Sequence, residues 1–354
     1  MTQKYAWQGK ICNPAQIGGI ETSVIDNGPG KGVRIAWINT GCGLRYKVVL
    51  DKAMDIVDAV YNQYNLAWHS HVGITNPRPD ANRGIEWLYS FAGGLLTTCG
   101  LTHMGPPEND EFGERGIHGR ISNYPANIES IIQPDPINGK MEMSITGIIK
   151  ESRMFGPNLE LRRTISSTIG QPSIRIHDVV TNLGNTATPH MILYHCNFGW
   201  PLIDAGTDII WKGNARSRGL PMDDELFNEK HNYKKCIAPS DNHKGGKEAV
   251  GFIDAASDSK GNCRVGFYNK AINTAVAIKY NKKQLPELIN WQHWGTDEYV
   301  CALEPGNSLP VGQGVLRKQK TLPILNAGQS KTYDLEIAVL NNKSDIDDFV
   351  KKFN

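Results

Sequence analysis

Two polar side chains lie in a stretch that otherwise has the composition of a buried β-strand. His195 and Asn197 alternate with Cys196 and Phe198, directly after the apolar run 191–194. Because successive side chains of a strand point to opposite faces, the two polar residues are predicted to share one face. A buried polar pair costs free energy unless a partner or a ligand satisfies it. We interpret this strand as one wall of a polar cleft, and a core histidine bonded to a carbonyl is the alternative.

Two further residues could move protons together with His195. His118 lies between glycines in segment 116–119, which favours a side chain presented at a turn, and a solvent-exposed turn histidine is an equal alternative. Glu304 ends the apolar strand predicted over 299–303, where a carboxylate is a candidate base. Imidazoles titrate near neutral pH. A carboxylate with two imidazoles can therefore transfer protons without a metal or a cofactor.

A second histidine pair is separated by one residue. His69 and His71 fall on one face of an extended segment, a spacing that can hold a metal. A metal site would also need a nearby carboxylate, and residues 72–75 supply none. A ligand-facing or turn-capping role is therefore preferred, and no metal is expected.

Aromatic residues are concentrated near residue 290. Trp291 and Trp294 flank polar residues and could stack on the apolar C–H face of a sugar ring. Burial in the core is the commoner fate of tryptophan and stays open here. No nucleotide-binding GxGxxG or GxxxxGK[ST] motif occurs, and neither does a GxSxG or HExxH motif.

The elements that must position these residues are mainly strands. Period-two alternation over 159–165 and 173–180 is typical of half-buried strands, and 36 glycines and 19 prolines suit many turns. Strand signals run from residue 23 to residue 340 with no repeat or linker. The prediction is one all-β domain of two packed sheets over 1–354, with an N-terminal extension at 1–22 and a short C-terminal helix at 344–354.

Composition excludes several classes of protein. Lys+Arg is 38 and Asp+Glu is 36, so the formal net charge of +2 gives no case for nucleic acid or a membrane surface as partner. No run of about 18 apolar residues predicts a membrane span. Seven cysteines without a CxxC pair, and an N-terminus without a signal-peptide core, favour a reducing compartment. A cytoplasmic protein is expected.

Three segments together resemble the aldose 1-epimerase (mutarotase) family. They are 116–119, the stretch from 161 to 182 that leads into 194–198, and 302–305. The similarity covers nearly the whole chain and is closest to a divergent branch long labelled a domain of unknown function. Segments 94–101 and 118–126 look specific to that branch. The resemblance implies a galactose mutarotase-like β-supersandwich of two large antiparallel sheets with few short helices.

The resemblance also implies a reaction. Glu304 would take the proton of the anomeric hydroxyl, and His195 would donate to the ring oxygen, so that the ring opens and recloses as the other anomer. His118 would hydrogen-bond near the same oxygens. The expected partner is a small-molecule carbohydrate, with no cofactor, and a homodimer is left open.

The family's sugar-binding arginine and aspartate have no clear counterparts in this sequence. Arg83 and Arg120 are candidates for the arginine, and Asp204 and Asp297 for the aspartate. The predicted substrate-binding set is Arg120, Arg83, His69, His71, Asn197, Trp200, Asp204, Trp291 and His293. The alternatives are a carbohydrate-binding protein without activity, or a different epimerase, isomerase or lyase that acts on a modified sugar.

Overall fold

Strands dominate the structure, a computed structural model that describes residues 5–353. The strands are β1 Gly19–Val24, β2 Arg34–Asn39, β3 Leu44–Val49, β4 Asp55–Tyr61, β5 Tyr64–Asn65, β6 Thr97–Leu101, β7 Glu108–Asp110, β8 Gly113–Arg115, β9 Asn127–Ile132, β10 Glu142–Ser152, β11 Asn158–Thr168, β12 Ser173–Asn182, β13 Thr188–Pro189, β14 Met191–Phe198, β15 Asp208–Ile210, β16 Gly213–Ser217, β17 Ala249–Ala255, β18 Asn262–Asn269, β19 Thr274–Asn281, β20 Glu287–Gly295, β21 Glu298–Gly306, β22 Ile324–Leu325 and β23 Ser330–Leu340. The α-helices are α1 Pro221–Leu226, α2 Gln313–Gln319 and α3 Lys343–Phe353. The 3₁₀ turns are Pro14–Gln16, Gly28–Gly30, Glu86–Ser90, Ile121–Asn123, Pro136–Asn138 and Asp241–His243.

Three sheets contain most of these strands. The largest has eight strands in the order β15-β18-β19-β23-β12-β11-β10-β9, and the second has six in the order β16-β17-β20-β21-β14-β6. A five-stranded meander, β1 to β5, forms the third. Neighbouring strands pair antiparallel throughout the two large sheets. Tight turns are sufficient to connect such strands, which agrees with the abundance of glycine and proline.

The main core lies between the eight- and six-stranded sheets. Alternate residues of β11 and β12 face inward, including Leu161, Ile165 and Ile176, and they join one cluster with Tyr194 and Leu303 of the six-stranded sheet. Two sheets whose apolar faces meet in this way form a sandwich. The predicted fold class, an all-β supersandwich with few short helices, is confirmed.

A buried ionic network connects all three sheets behind the centre of the sandwich. Arg163 of β11 is fully buried and donates to Asp178 of β12 at 2.7 Å and to Asp55 of β4 at 3.1 Å. The same guanidinium donates to Thr98 of β6, and Tyr194 of β14 donates to Asp178 at 2.7 Å. Because each buried charge has several partners, the network is satisfied without water.

The first strand and the last helix are both part of the fold. β1 begins at Gly19, inside the stretch predicted as an extension, and pairs along its whole length with β2. α3 occupies the place of the predicted C-terminal helix and packs Ile346 and Phe349 against Ala275 and Ala277. Among residues 5–353 no helix has the length and apolar character needed to cross a membrane.

Candidate active site

His195 and Glu304 come from adjacent strands of the six-stranded sheet. β14 is buried along its whole length. Its neighbouring side chains Tyr194 and Cys196 point into the main core, so His195 points to the opposite face. β14 pairs with β21 in a register that sets Cys196 opposite Leu303, and this register places Glu304 beside His195.

The two side chains are close and almost enclosed. His195 Nε2 lies 3.3 Å from Glu304 Oε1, and only 8% of the histidine side chain and 4% of the glutamate side chain are exposed. Their alignment is not that of a hydrogen bond. Among the described residues, Glu304 Oε1 and His195 Nδ1 have no hydrogen-bond partner. Buried polar atoms normally have partners, so these two atoms are candidates for contact with a ligand.

His118 is held beside this pair by an unusual turn. Its φ of 58° is left-handed, and its backbone N–H donates to Gly105 while its carbonyl accepts from Gly100. A Cβ at the following residue, Gly119, would lie 2.4 Å from the Gly100 carbonyl oxygen, so only glycine fits there. The His118 ring centroid is 6.0 Å from that of His195, with the planes at 85°, and its Nδ1 has no partner in the described chain.

Burial shifts the pKa of all three groups. It raises the pKa of Glu304 well above its ordinary value, with a smaller contribution from Glu248 and opposition from Arg218. Burial lowers the pKa of His195 to about 3, which nearby His118 also favours, and it lowers the pKa of His118 to about 4. Burial therefore favours the protonated form of the Glu304 carboxyl group and the neutral form of both imidazoles.

Aromatic rings form the walls around His195. The ring of Phe91 lies 5.4 Å from that of His195, and the ring of Trp291 lies 5.3 Å away, edge-on. The ring of Trp68 lies 5.9 Å from the ring of Phe91 and 5.9 Å from that of Trp291. Such faces match the apolar C–H surface of a sugar, while the unpartnered indole Nε1–H of Trp291 is free to donate.

The wall beside His118 is Trp87, which sequence reasoning did not assign to the site. Its ring lies 5.0 Å from that of His118 and stacks on Phe91 at 4.4 Å, while its Nε1 donates to Ser122 at 2.8 Å. Trp87 and Phe91 come from the 3₁₀ turn Glu86–Ser90 and the residue after it. No strand periodicity marks this segment, so the pattern of the sequence could not place it over the histidines.

The two tryptophans of β20 do not form one platform. Residues three apart on a strand face opposite ways, so Trp294 is fully buried in the main core, 5.0 Å from the ring of Tyr299, while Trp291 faces the site. His293 shares the face of Trp291 and stacks on it at 6.3 Å. Trp291 thus contacts both His195 and His293, and His293 has its own partners, the Lys247 carbonyl oxygen at 2.8 Å and Glu298 at 3.3 Å.

The two candidate arginines have their contacts away from the His195–Glu304 pair. The side chain of Arg83 is 76% exposed and lies 3.8 Å from Glu114. Arg120 lies over the ring of Tyr124 at 5.6 Å and lines a different cavity. The turn at His118 and Gly119 directs Arg120 into that other cavity, and Arg83 lies at the surface. Neither arginine therefore occupies the place expected for the family's arginine.

The histidine pair near residue 70 is exposed. His69 lies 3.2 Å from Asp58, and His71 lies 3.5 Å from Glu298, so the two rings have separate acidic partners. Within residues 5–353 no group of three or more His, Cys, Asp or Glu side chains is arranged to hold a metal ion. That the chemistry needs no metal or cofactor stays a prediction.

The remaining predicted residues have structural surroundings of their own. Asn197 is buried on the His195 face, and its Nδ2 donates to the Gly94 carbonyl oxygen at 3.1 Å. Its Oδ1 has no partner in the described chain. Trp200 is 68% exposed. Asp204 is exposed and accepts from the N–H of Ala205, and Asp297 lies at the β20–β21 turn with a φ of 64°. Of these four residues, only Asn197 shares the strand face of His195.

Several solved structures with the same fold are described as sugar epimerases or mutarotase-like proteins. A "putative aldose 1-epimerase" from Klebsiella pneumoniae is 24% identical with a TM-score of 0.84, over 94% of this chain and 86% of that chain. A galactose mutarotase-like protein from Clostridium acetobutylicum is 13% identical with a TM-score of 0.59, over 92% and 100%. A galactose 1-epimerase from Lactobacillus acidophilus is 10% identical with a TM-score of 0.55, over 91% and 99%.

Sequence comparison gives a family as well. No curated protein matches the chain. Residues 30–339 match the family described as "Domain of unknown function (DUF4432)". Because this match spans most of the chain, the protein belongs to the DUF4432 family, and its fold is that of the galactose mutarotase-like proteins.

Proposed function

We propose that the protein interconverts the anomers of a sugar by acid–base opening and closing of the ring. The observation that carries the proposal is the His195–Glu304 pair, 3.3 Å apart on adjacent strands, with unpartnered polar atoms in an almost enclosed site. Ring opening needs one group to remove the proton of the anomeric hydroxyl and one to protonate the ring oxygen. An imidazole and a carboxyl group that hold one proton between them meet this need.

The direction of the pKa shifts favours one assignment of the acid and the base. The sequence resemblance gives Glu304 as base and His195 as acid. Burial favours the reverse, because it raises the pKa of Glu304 and lowers the pKa of His195. Neutral His195 would accept the hydroxyl proton while Glu304 protonates the ring oxygen. The C1–O5 bond breaks, the open-chain aldehyde turns about C1–C2, and closure returns both protons.

The surrounding residues would hold the sugar during this exchange. Phe91 and Trp291 place aromatic rings within 5.4 Å and 5.3 Å of the His195 ring, and contact with aromatic rings orients a sugar ring. His118 Nδ1 and Trp291 Nε1 have no partners in the described chain and could bond to sugar hydroxyls. The similarity in fold to proteins described as aldose 1-epimerases supports the same reaction class.

The experiment is anomer exchange followed by saturation-transfer NMR. A panel of aldopentoses, aldohexoses, deoxyhexoses and uronic acids is mixed with the protein, and the exchange rate of each is compared with its spontaneous rate. We expect acceleration for at least one sugar, reduced roughly 10²–10⁴-fold in Glu304→Gln. Equal rates for parent and variant on every accelerated sugar would contradict the proposal.

The same spectra separate two alternatives. The aromatic walls also suit a carbohydrate-binding protein without activity, which would broaden sugar signals without accelerating exchange. Another epimerase, isomerase or lyase acting on a modified sugar would give resonances of a new compound, whereas anomer exchange gives none.

A further inference from the structure

A second cavity, of about 210 Å³, is lined by an unusual number of arginines. It lies between the β7–β8 ribbon, the start of α2 and the loop after β10. Its charged lining residues are Arg115, Arg120, Arg153, Arg317, Glu114 and Glu151. None of these is a member of the His195–Glu304 pair.

Only one of the four arginines is neutralised by an ion pair. Arg115 is 8% exposed and contacts Glu108 at 3.0 Å and Asp110 at 2.6 Å. Within residues 5–353, Arg120, Arg153 and Arg317 have no carboxylate oxygen within 4 Å. Three arginines without a carboxylate oxygen in contact therefore line one small cavity, where an anion would have several cationic partners.

The two glutamates of the lining are already bound elsewhere. Glu151 accepts from the N–H of Leu101 at 2.7 Å and from the hydroxyl of Thr102 at 2.6 Å. Glu114 lies 3.8 Å from Arg83. Neither carboxylate thus forms an ion pair with the three open guanidinium groups.

Two of the open guanidinium groups are held in place by aromatic rings. Arg317 lies 4.0 Å from the ring centroid of Phe112, and one of its NH₂ groups donates to Gln313 at 3.0 Å. Its Nε is buried and has no partner in the described chain. Arg120 lies over Tyr124, and its backbone is held by the Gly100 carbonyl oxygen. A side chain held in this way loses little freedom when it binds a ligand.

We propose that this cavity binds a phosphate-type oxyanion, coordinated by Arg120, Arg153 and Arg317. The planar forks of guanidinium groups match the oxygens of phosphate two at a time, and none of these three arginines has a carboxylate in contact that would compete with the anion. The site is separate from the proposed catalysis and stands or falls independently of it. The ligand is either free phosphate or the phosphate group of a larger metabolite.

The test is calorimetric titration of the whole protein with inorganic phosphate, with sodium chloride adjusted to hold ionic strength constant. We expect saturable one-to-one binding that weakens by about tenfold or more in the triple variant Arg120→Gln, Arg153→Gln, Arg317→Gln. Arg162→Gln, an exposed arginine paired with Glu129, is the control and should bind as the parent does.

Further titrations distinguish the sources of the ligand. A sugar phosphate monoester that binds more tightly than inorganic phosphate identifies an esterified ligand, and equal affinity identifies the free ion. Should the triple variant unfold, phosphate binding is measured on the single variant Arg153→Gln instead, because Arg153 is exposed. The proposal is wrong if phosphate does not saturate the parent at tens of millimolar, if malonate binds and phosphate does not, or if the arginine variants bind phosphate like the parent.

Discussion

Glu304 Oε1 and His195 Nε2 lie 3.3 Å apart on adjacent antiparallel strands, on the sheet face that points away from the main core. A shift of one residue between β14 and β21 would turn one of these side chains into the core. A contact on the core face of β14 stabilises this register, because Tyr194, next to His195, donates to Asp178 of the buried Arg163–Asp178 pair. The site geometry thus depends on the packing of the whole sandwich.

Glu304→Gln should change how stability depends on pH. The pKa of Glu304 is raised in the folded state. Its contribution to the free energy of unfolding is therefore largest below the pKa of the unfolded chain and is lost as pH rises toward the pKa of the folded state. Glutamine does not titrate. Urea unfolding should therefore show the variant gaining on the parent as the pH rises above about 5, by up to about 1.4 kcal/mol per pH unit. Glu336→Gln on the surface is the control, and identical pH profiles for parent and Glu304→Gln would contradict the prediction.

His195→Asn should have its effect at the acid end. The pKa of His195 is depressed to about 3, so the stability it provides is present above its unfolded value near 6.5 and is lost as pH falls toward 3. At pH 5 the loss is on the order of 2 kcal/mol. The variant should lose less stability than the parent between pH 7 and pH 5 in chemical unfolding. His177→Asn, at an exposed ring beside Asp334, should follow the parent, and a steeper acid loss in His195→Asn would rule the prediction out.

Trp291→Phe should weaken sugar binding more than it slows the reaction. Phenylalanine keeps an aromatic wall beside His195 but lacks the unpartnered Nε1–H. Loss of one hydrogen bond to substrate is worth about 1 kcal/mol, or roughly five-fold in affinity. Anomer-exchange kinetics should show KM raised by that factor and kcat changed little. Trp294→Phe, in the main core, is the matched control, and an unchanged KM in Trp291→Phe would argue against contact between the indole and the sugar.

Arg163→Ala should destabilise the fold strongly, whereas Arg162→Ala should change the free energy of unfolding little. Arg163 is fully buried and its removal leaves Asp178 and Asp55 without their counter-charge, a loss of about 3–5 kcal/mol. Arg162 is half exposed and forms a surface pair with Glu129, worth at most about 1 kcal/mol. Equilibrium urea unfolding of both alanine variants checks the contrast. Similar losses in the two variants would show that the network contributes little.

Much of the architecture and the centre of the site follow from local pattern. Period-two alternation predicts the strands of the large sheets, and the alternation around His195 correctly indicates which side chains share its face. The carboxylate at the end of an apolar strand, Glu304, lies beside that histidine. These inferences hold because strand side chains alternate strictly and strand ends are readable from composition.

The rim of the site could not be predicted in this way. Trp87 and Phe91 reach the histidines from a 3₁₀ turn, whose position depends on long-range packing. Arg120 follows His118 by two residues but is directed into another cavity by a turn with positive φ at His118 and Gly119. Nearness in sequence therefore indicated a contact that the backbone conformation does not allow.

The most direct test of joint action by Glu304 and His195 is a double-mutant comparison of exchange rates. NMR exchange rates are measured on one accelerated sugar for the parent, Glu304→Gln, His195→Asn and the double variant. Groups that act together in one proton transfer are strongly non-additive, so the double variant should be about as slow as the slower single variant. Rate losses that multiply in the double variant, or a single variant that keeps the parent's rate, would contradict the account.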